Sequence, residues 1–330
     1  MKRALKWTIG LLVAAIAVLF VLGYTPDTDP AAMKAKYASP ASQFVDVGGG
    51  LTMHVRDEGQ RDGPVLVLLH GSNASLHTWE PWVARLKDKY RIISVDQIGH
   101  GLTGPNPTGQ YDGAAFVGTL DALMNRLGVT RFALAGNSMG GYVAWEYALT
   151  HPGKLTHLVL IDAAGPPDDP DKDLPIGFRI ARTPGISRIA LVITPRSVFE
   201  RSLRGSVSNQ AMVTPAMVDR YWELNRYPGN RAATGARFAQ YGNRTRNTGR
   251  LSEIKVPTLI LWGREDKLIP VSGADWFAAQ IPGSVKIVYP GIGHIPMEEA
   301  ADRTAADLDA FLSRPFPSPP KQPSMALPRR

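Results

Sequence analysis

Apolar residues follow three regimes along the chain. From Trp7 to Tyr24 the run WTIGLLVAAIAVLFVLGY carries no charge and no amphipathic pattern. At about 1.5 Å per residue, such a run nearly spans a bilayer core. Lys2, Arg3 and Lys6 precede it, and Asp27 and Asp29 follow. That asymmetry predicts a single-pass anchor over 1–24, with the N-terminus cytoplasmic and the rest extracytoplasmic, or periplasmic in a Gram-negative cell. A signal peptide cleaved after Gly23 is the alternative and would give a secreted chain. Residues 25–43 are polar and alanine-rich and read as a spacer.

Beyond residue 43 the pattern changes to short continuous apolar runs alternating with helical periodicity. FVDVGGGLTMHVRDEG predicts a hairpin, while VLVLLH, RIISVDQ, RFALAG, LTHLVLIDA, TLILWG and VKIVYPG read as strands covered on both faces. Segments 78–88, 113–127, 140–151, 274–280 and 298–313 carry helical patterns between them, which predicts an open α/β sheet. Residues 165–250 break this rhythm with PP, TPG and YPG punctuation around amphipathic pieces, and form an insertion. The core is therefore split into 44–164 and 251–314. The tail 315–330 is proline-rich and predicted disordered.

Composition then narrows the chemistry. The chain has 330 residues, no cysteine and a net charge of +8. Without cysteine there is no disulfide framework, thiol nucleophile or thiolate-held zinc. The charge is local: residues 168–250 hold one lysine and thirteen arginines against seven acids. No basic segment is interleaved with stacking aromatics, so no nucleic-acid partner is expected.

Gly136-Asn137-Ser138-Met139-Gly140 follows one apolar strand and opens a helix. A G-x-S-x-G signal in that setting predicts a sharp turn that presents Ser138 as a nucleophile. A serine hydroxyl needs a positioned base, and His294, in the loop after the last strand, fits the chain order serine, acid, histidine. His54, His70, His151 and His157 read as structural or surface histidines. Asp266, just past TLILWG, is the expected acid, with Asp162 at the end of an earlier strand as its rival. The oxyanion of acyl transfer needs two amide donors, assigned to the backbones of Met139 and Ser72. Asn73 and Trp222 are candidate substrate contacts, with Tyr221, Phe199 and Met217 as further candidates for an apolar roof.

With these motifs in order, the chain from about Phe44 to Arg314 resembles the α/β-hydrolase superfamily. The likeness is carried by His70-Gly71, by Asp96 to Gly101, by GNSMGG at 136–141, by GREDKLIP at 263–270 and by GIGHIPMEE at 291–299. It implies a mostly parallel eight-stranded sheet with helices on both faces and a helical cap over 165–250. Ser138 argues against the dehalogenase and epoxide hydrolase branches, which use an aspartate nucleophile. HGS with GNSMGG is similar to meta-cleavage-product hydrolases, whereas HIPMEE after the histidine is similar to carboxylesterases and lipases.

The expected activity is hydrolysis of a small-molecule carboxylic ester through an acyl-enzyme on Ser138, with no cofactor and no metal. Carbon-carbon, lactone or amide hydrolysis by the same triad is the alternative. A non-catalytic binding protein on the same scaffold is the reading from another class.

Overall fold

The inner strands are apolar on both sides because both sides are covered. The computed structural model describes Trp7, residues 23–167, Thr183, residues 191–241 and residues 247–314. Eight strands form one sheet in the order β1-β2-β4-β3-β5-β6-β7-β8. They are β1 (Ser42–Gly48), β2 (Leu51–Gly59), β3 (Val65–Leu69), β4 (Arg91–Val95), β5 (Phe132–Asn137), β6 (Leu155–Ile161), β7 (Thr258–Gly263) and β8 (Val285–Tyr289). β1 pairs with β2 and β2 with β4 in antiparallel fashion, and every pairing from β4 to β8 is parallel.

Side-chain alternation divides the core into two layers. Val67, Leu69, Leu134, Leu160 and Trp262 join one cluster with α3 (Gly113–Arg126), α4 (Met139–Thr150) and α8 (Ser272–Gln280). Leu66, Leu68, Ala135, Val159 and Leu261 face the other way, against α2 (Glu80–Leu86) and α10 (Ala301–Leu312). The short α9 (Pro296–Glu299) leads into α10. This is the α/β-hydrolase architecture expected from the sequence.

Over the C-terminal edge of the sheet lie α5 (Arg196–Ser206), α6 (Pro215–Asn225) and α7 (Asn230–Tyr241), from the inserted region. Apart from Thr183, the stretch 168–190 lies outside the described residues, as does the tail 315–330 expected to be disordered. Within the expected spacer, Pro30–Tyr37 forms a helix, α1, capped by Asp29, whose carboxylate accepts from Ala32 N at 2.7 Å.

The expected membrane placement is corrected. No helix among the described residues is long and apolar enough to cross a membrane. Of the expected anchor over 1–24, only Trp7, Gly23 and Tyr24 are described. Directly after them the chain packs onto the cap: Thr25 N donates to Val192 O at 2.8 Å, and Arg231 meets Asp27 at 2.5 Å. The topology drawn from an anchor, with a cytoplasmic N-terminus, an extracytoplasmic catalytic domain and the membrane as partner, is therefore not shown.

One buried carboxylate organises the loops at this edge. Asp96, fully buried, accepts from Leu76 N at 2.8 Å, Leu102 N at 2.9 Å and His54 Nδ1 at 2.7 Å. Burial alone would raise its pKa; the bond from His54 and the surrounding imidazoles outweigh this and hold it well below the usual carboxylate range.

Asp96→Ala strands three donors and is expected to cost about 3–5 kcal/mol in urea unfolding at neutral pH. Because the folded pKa is depressed, the stabilisation is complete above the unfolded value and fades as pH falls below about 4. A penalty that stays constant into acid would contradict this account.

Candidate active site

The turn from β5 into α4 is built from residues that leave no room for side chains. Ser138 sits at φ 53° and ψ −114°, in the left-handed half of the map, where a non-glycine residue is strained. A Cβ on Gly136 would lie 2.2 Å from Gly140 O, and one on Gly140 would lie 2.1 Å from Leu69 O. The glycines thus let helix and strands approach closely enough to force the turn. Hydrogen bonds pin it: Ser138 N donates to Ile161 O at 2.9 Å, and Ser138 O accepts from Ala164 N at 2.9 Å.

His294 and Ser138 line the same cavity. Asn137 Nδ2 donates to His294 O at 3.0 Å and to Ile161 O at 3.2 Å, tying the histidine loop to the serine turn. His294 N donates to Ser206 O of α5 at 2.8 Å. Its Nδ1 meets Asp266 Oδ2 at 2.7 Å, which fixes the tautomer and leaves Nε2 as the ring nitrogen not engaged by Asp266.

Asp266 is held in turn: Oδ1 accepts from Leu268 N at 2.7 Å and Ile269 N at 3.1 Å. The adjacent Glu265 has a different role, latching the histidine loop by accepting from Gly291 N at 2.7 Å and Ile292 N at 3.1 Å. Asp162 also reaches this place. One oxygen of Asp162, one of Asp266 and one ring nitrogen of His294 lie within 4.8 Å of one another.

Across the cavity, Gly71, Ser72 and Asn73 form the opposing loop. His70 anchors it: its Nε2 accepts from Gln97 N at 3.1 Å, so Nδ1 carries the proton and donates to Gly71 O at 2.7 Å. Burial lowers the His70 pKa, consistent with a neutral ring. Met139, the first residue of α4, places its backbone next to Ser138.

Sequence reasoning missed Arg237. From α7 this buried guanidinium donates to Ser72 Oγ at 2.7 Å, Asn73 Oδ1 at 3.2 Å and His100 Nε2 at 3.1 Å, and touches Met139 Sδ at 2.8 Å. It therefore contacts the side chains of both residues assigned as oxyanion donors. Asn73, at φ 60°, also accepts from Thr234 Oγ1 at 3.2 Å. Only the arginine-rich character of the insertion hinted at this.

The cavity encloses about 140 Å³, roofed by Leu191, Val198, Phe199, Leu203 and Tyr221. Trp222 is not part of this lining: its Nε1 donates to Thr194 O at 2.7 Å, and Arg226 stacks on its ring at 3.7 Å. Met217 faces a separate recess beside His77 and Arg56.

A family model described as alpha/beta hydrolase fold matches residues 64–301. A 2-hydroxy-6-oxononadienedioate/2-hydroxy-6-oxononatrienedioate hydrolase of Burkholderia vietnamiensis is 28% identical, over 84% of this chain and 97% of its own. Among solved structures, a membrane phospholipase A described as a bacterial virulence factor superposes with a TM-score of 0.73 at 26% identity. It covers 94% of this chain and 98% of that one. A thermophilic esterase of Thermogutta terrifontis does so with a TM-score of 0.68 at 26% identity, covering 83% and 98%.

The glycine geometry separates two substitutions. Gly140→Ala is expected to lose soluble, cooperatively melting protein, since its Cβ would meet backbone. Gly118→Ala, on the exposed face of α3 with nothing within 4 Å, should raise stability by about 0.5–1 kcal/mol. Thermal melts of both variants check the contrast, and a normal melt for Gly140→Ala would refute the packing argument.

Proposed function

The chain belongs to the alpha/beta hydrolase fold family, and on that footing we propose that it is a serine hydrolase of neutral carboxylic esters. Ser138 Oγ attacks the ester carbonyl while His294 Nε2 takes its proton and Asp266 holds the imidazolium. The backbone N–H groups of Met139 and Ser72 receive the oxyanion. His294 returns the proton to the leaving alcohol, and the same base then activates water to release the acid from Ser138.

The observation that carries the ester reading is the charge of the lining. Among the described lining residues, the side chain with a fixed positive charge is Arg231. It is already engaged by Asp27 at 2.5 Å and Thr25 O at 2.7 Å. The remaining lining is aliphatic, aromatic or neutral polar, which suits an apolar acyl group. The esterase and phospholipase likenesses agree with that choice.

Carbon-carbon hydrolysis is the second reading, favoured by the 28% identical dienedioate hydrolase. Its doubly charged substrate would require cations facing the pocket, whereas Arg231 is paired with Asp27 and Arg237 is bonded to Ser72 and Asn73 behind the lining. His294 is also followed by Ile295-Pro296, in the HIPMEE stretch that is similar to carboxylesterases and lipases.

Hydrolysis of p-nitrophenyl esters by the full chain is expected, with kcat falling about 10⁴-fold or more in Ser138→Ala. A fluorophosphonate should label the native chain and not the variant. Faster turnover of a ring-cleavage dienone than of any ester would reverse the order of the two readings. An absence of labelling would favour the non-catalytic alternative.

A further inference from the structure

Behind the imidazole lies a second carboxyl that the acyl-transfer scheme leaves without a role. Asp162 directly follows β6. It is fully buried, and its backbone sits at φ 44°, a strained region for any residue with a side chain. The main chain fixes it: Asp162 N donates to Leu261 O at 3.0 Å, and Oδ1 accepts from Gly263 N at 2.9 Å. Oδ2 is buried and receives no N–H or O–H from the described residues.

The groups that face Asp162 are Asp266, His294, Glu299 and Tyr289. Tyr289 is turned away, donating to Asp307 at 2.8 Å, and Glu299 accepts from Gly293 N at 2.7 Å. Two carboxyls thus lie beside one buried imidazole, with Asp266 bonded to it, and they are unequally supplied with donors. Asp266 has two backbone N–H groups and the His294 ring; Asp162 has a single backbone N–H. A buried anion settles where donors are most numerous, and two adjacent carboxyls in an apolar setting do not both ionise.

We propose that Asp162 is a neutral acid whose proton, on Oδ2, is donated to the Asp266 carboxylate, making it a positioning residue for the His294–Asp266 pair. Burial, followed by the charge of Asp266, drives its carboxyl well above the usual range, in the same direction. The donated proton satisfies the oxygen that no main-chain group serves. It also draws charge away from Asp266 and so lowers the basicity of His294. This rests on the reading of His294 as the base.

The sign of a pH shift separates the possibilities. In the full chain, kcat/KM for p-nitrophenyl acetate is followed against pH for the native protein, Asp162→Asn and Asp162→Ala. Asp162→Asn keeps a neutral donor and should leave the acid limb in place. Asp162→Ala removes the donor, so the limb should move to higher pH by roughly 0.5–1 unit. If Asp162 were ionised, Asp162→Asn would remove a negative charge near His294 and move the limb to lower pH, which overturns the proposal. An unmoved limb in Asp162→Ala overturns it as well.

Should Asp162→Ala fail to fold, infrared difference spectra of the native protein against Asp162→Asn at neutral pH decide the same question. The carbonyl stretch of a protonated acid must be present in the native chain and missing in the variant; its absence from the native chain refutes the proposal. Undiminished ester hydrolysis by Ser138→Ala would instead strike the nucleophile assignment, leaving the infrared result intact.

Discussion

The backbone at Ser138, at φ 53° and ψ −114°, is a conformation that an L-residue keeps only when its surroundings allow no other. Here the surroundings are strands β3, β5 and β6 and helix α4, packed so tightly that Gly136 and Gly140 have no room for a methyl group. The cost of the turn is met by the packing of the two core layers, since each glycine contact is a contact between core elements. From that turn follow the presentation of Ser138, the direction of α4 and the placing of Asn137, whose side chain fixes the histidine loop. The candidate site is in this sense a by-product of how closely a helix can be laid on a parallel sheet.

Much of this was legible in the residues. Continuous apolar runs such as VLVLLH and TLILWG suit strands buried on both sides, and they are β3 and β7. The helical pattern at 113–127 became α3 at Gly113–Arg126. Ser138, His294 and Asp266 lie at strand ends that a parallel sheet gathers along one edge, and Asp266 does meet His294. What sequence cannot supply is distance between segments with no shared period. Asp162 and Asp266 read as competitors for one role, because a linear pattern cannot say that both reach the same imidazole. Arg237 was one arginine among thirteen in the insertion, and only the docking of α7 selects it. The apolar run near the N-terminus pointed to a membrane; the described residues that follow it bond to the cap.

Behind the Ser72 loop lies a polar layer in which two imidazoles sit between the charges of Asp96 and Arg237. His70 and His100 are fully enclosed, and burial lowers both. Each ring donates from Nδ1 to a nearby carbonyl and accepts at Nε2, from Gln97 N and from Arg237 respectively. Such rings act as directional spacers, passing hydrogen bonds between loops without adding a titrating charge at neutral pH.

The roof over the cavity is joined to the chain at more than its own two ends. Arg231 of α7 holds Asp27 across 204 positions of sequence, and Lys36 and Tyr37 of α1 meet Glu223 of α6 across 187 and 186. Contacts between segments so distant along the chain each close a long loop, and the core does the same where Trp82 of α2 donates to Thr304 of α10 across 222 positions. On the ribosome, residues 25–37 emerge early and must wait for the cap to be synthesised before they find their partners.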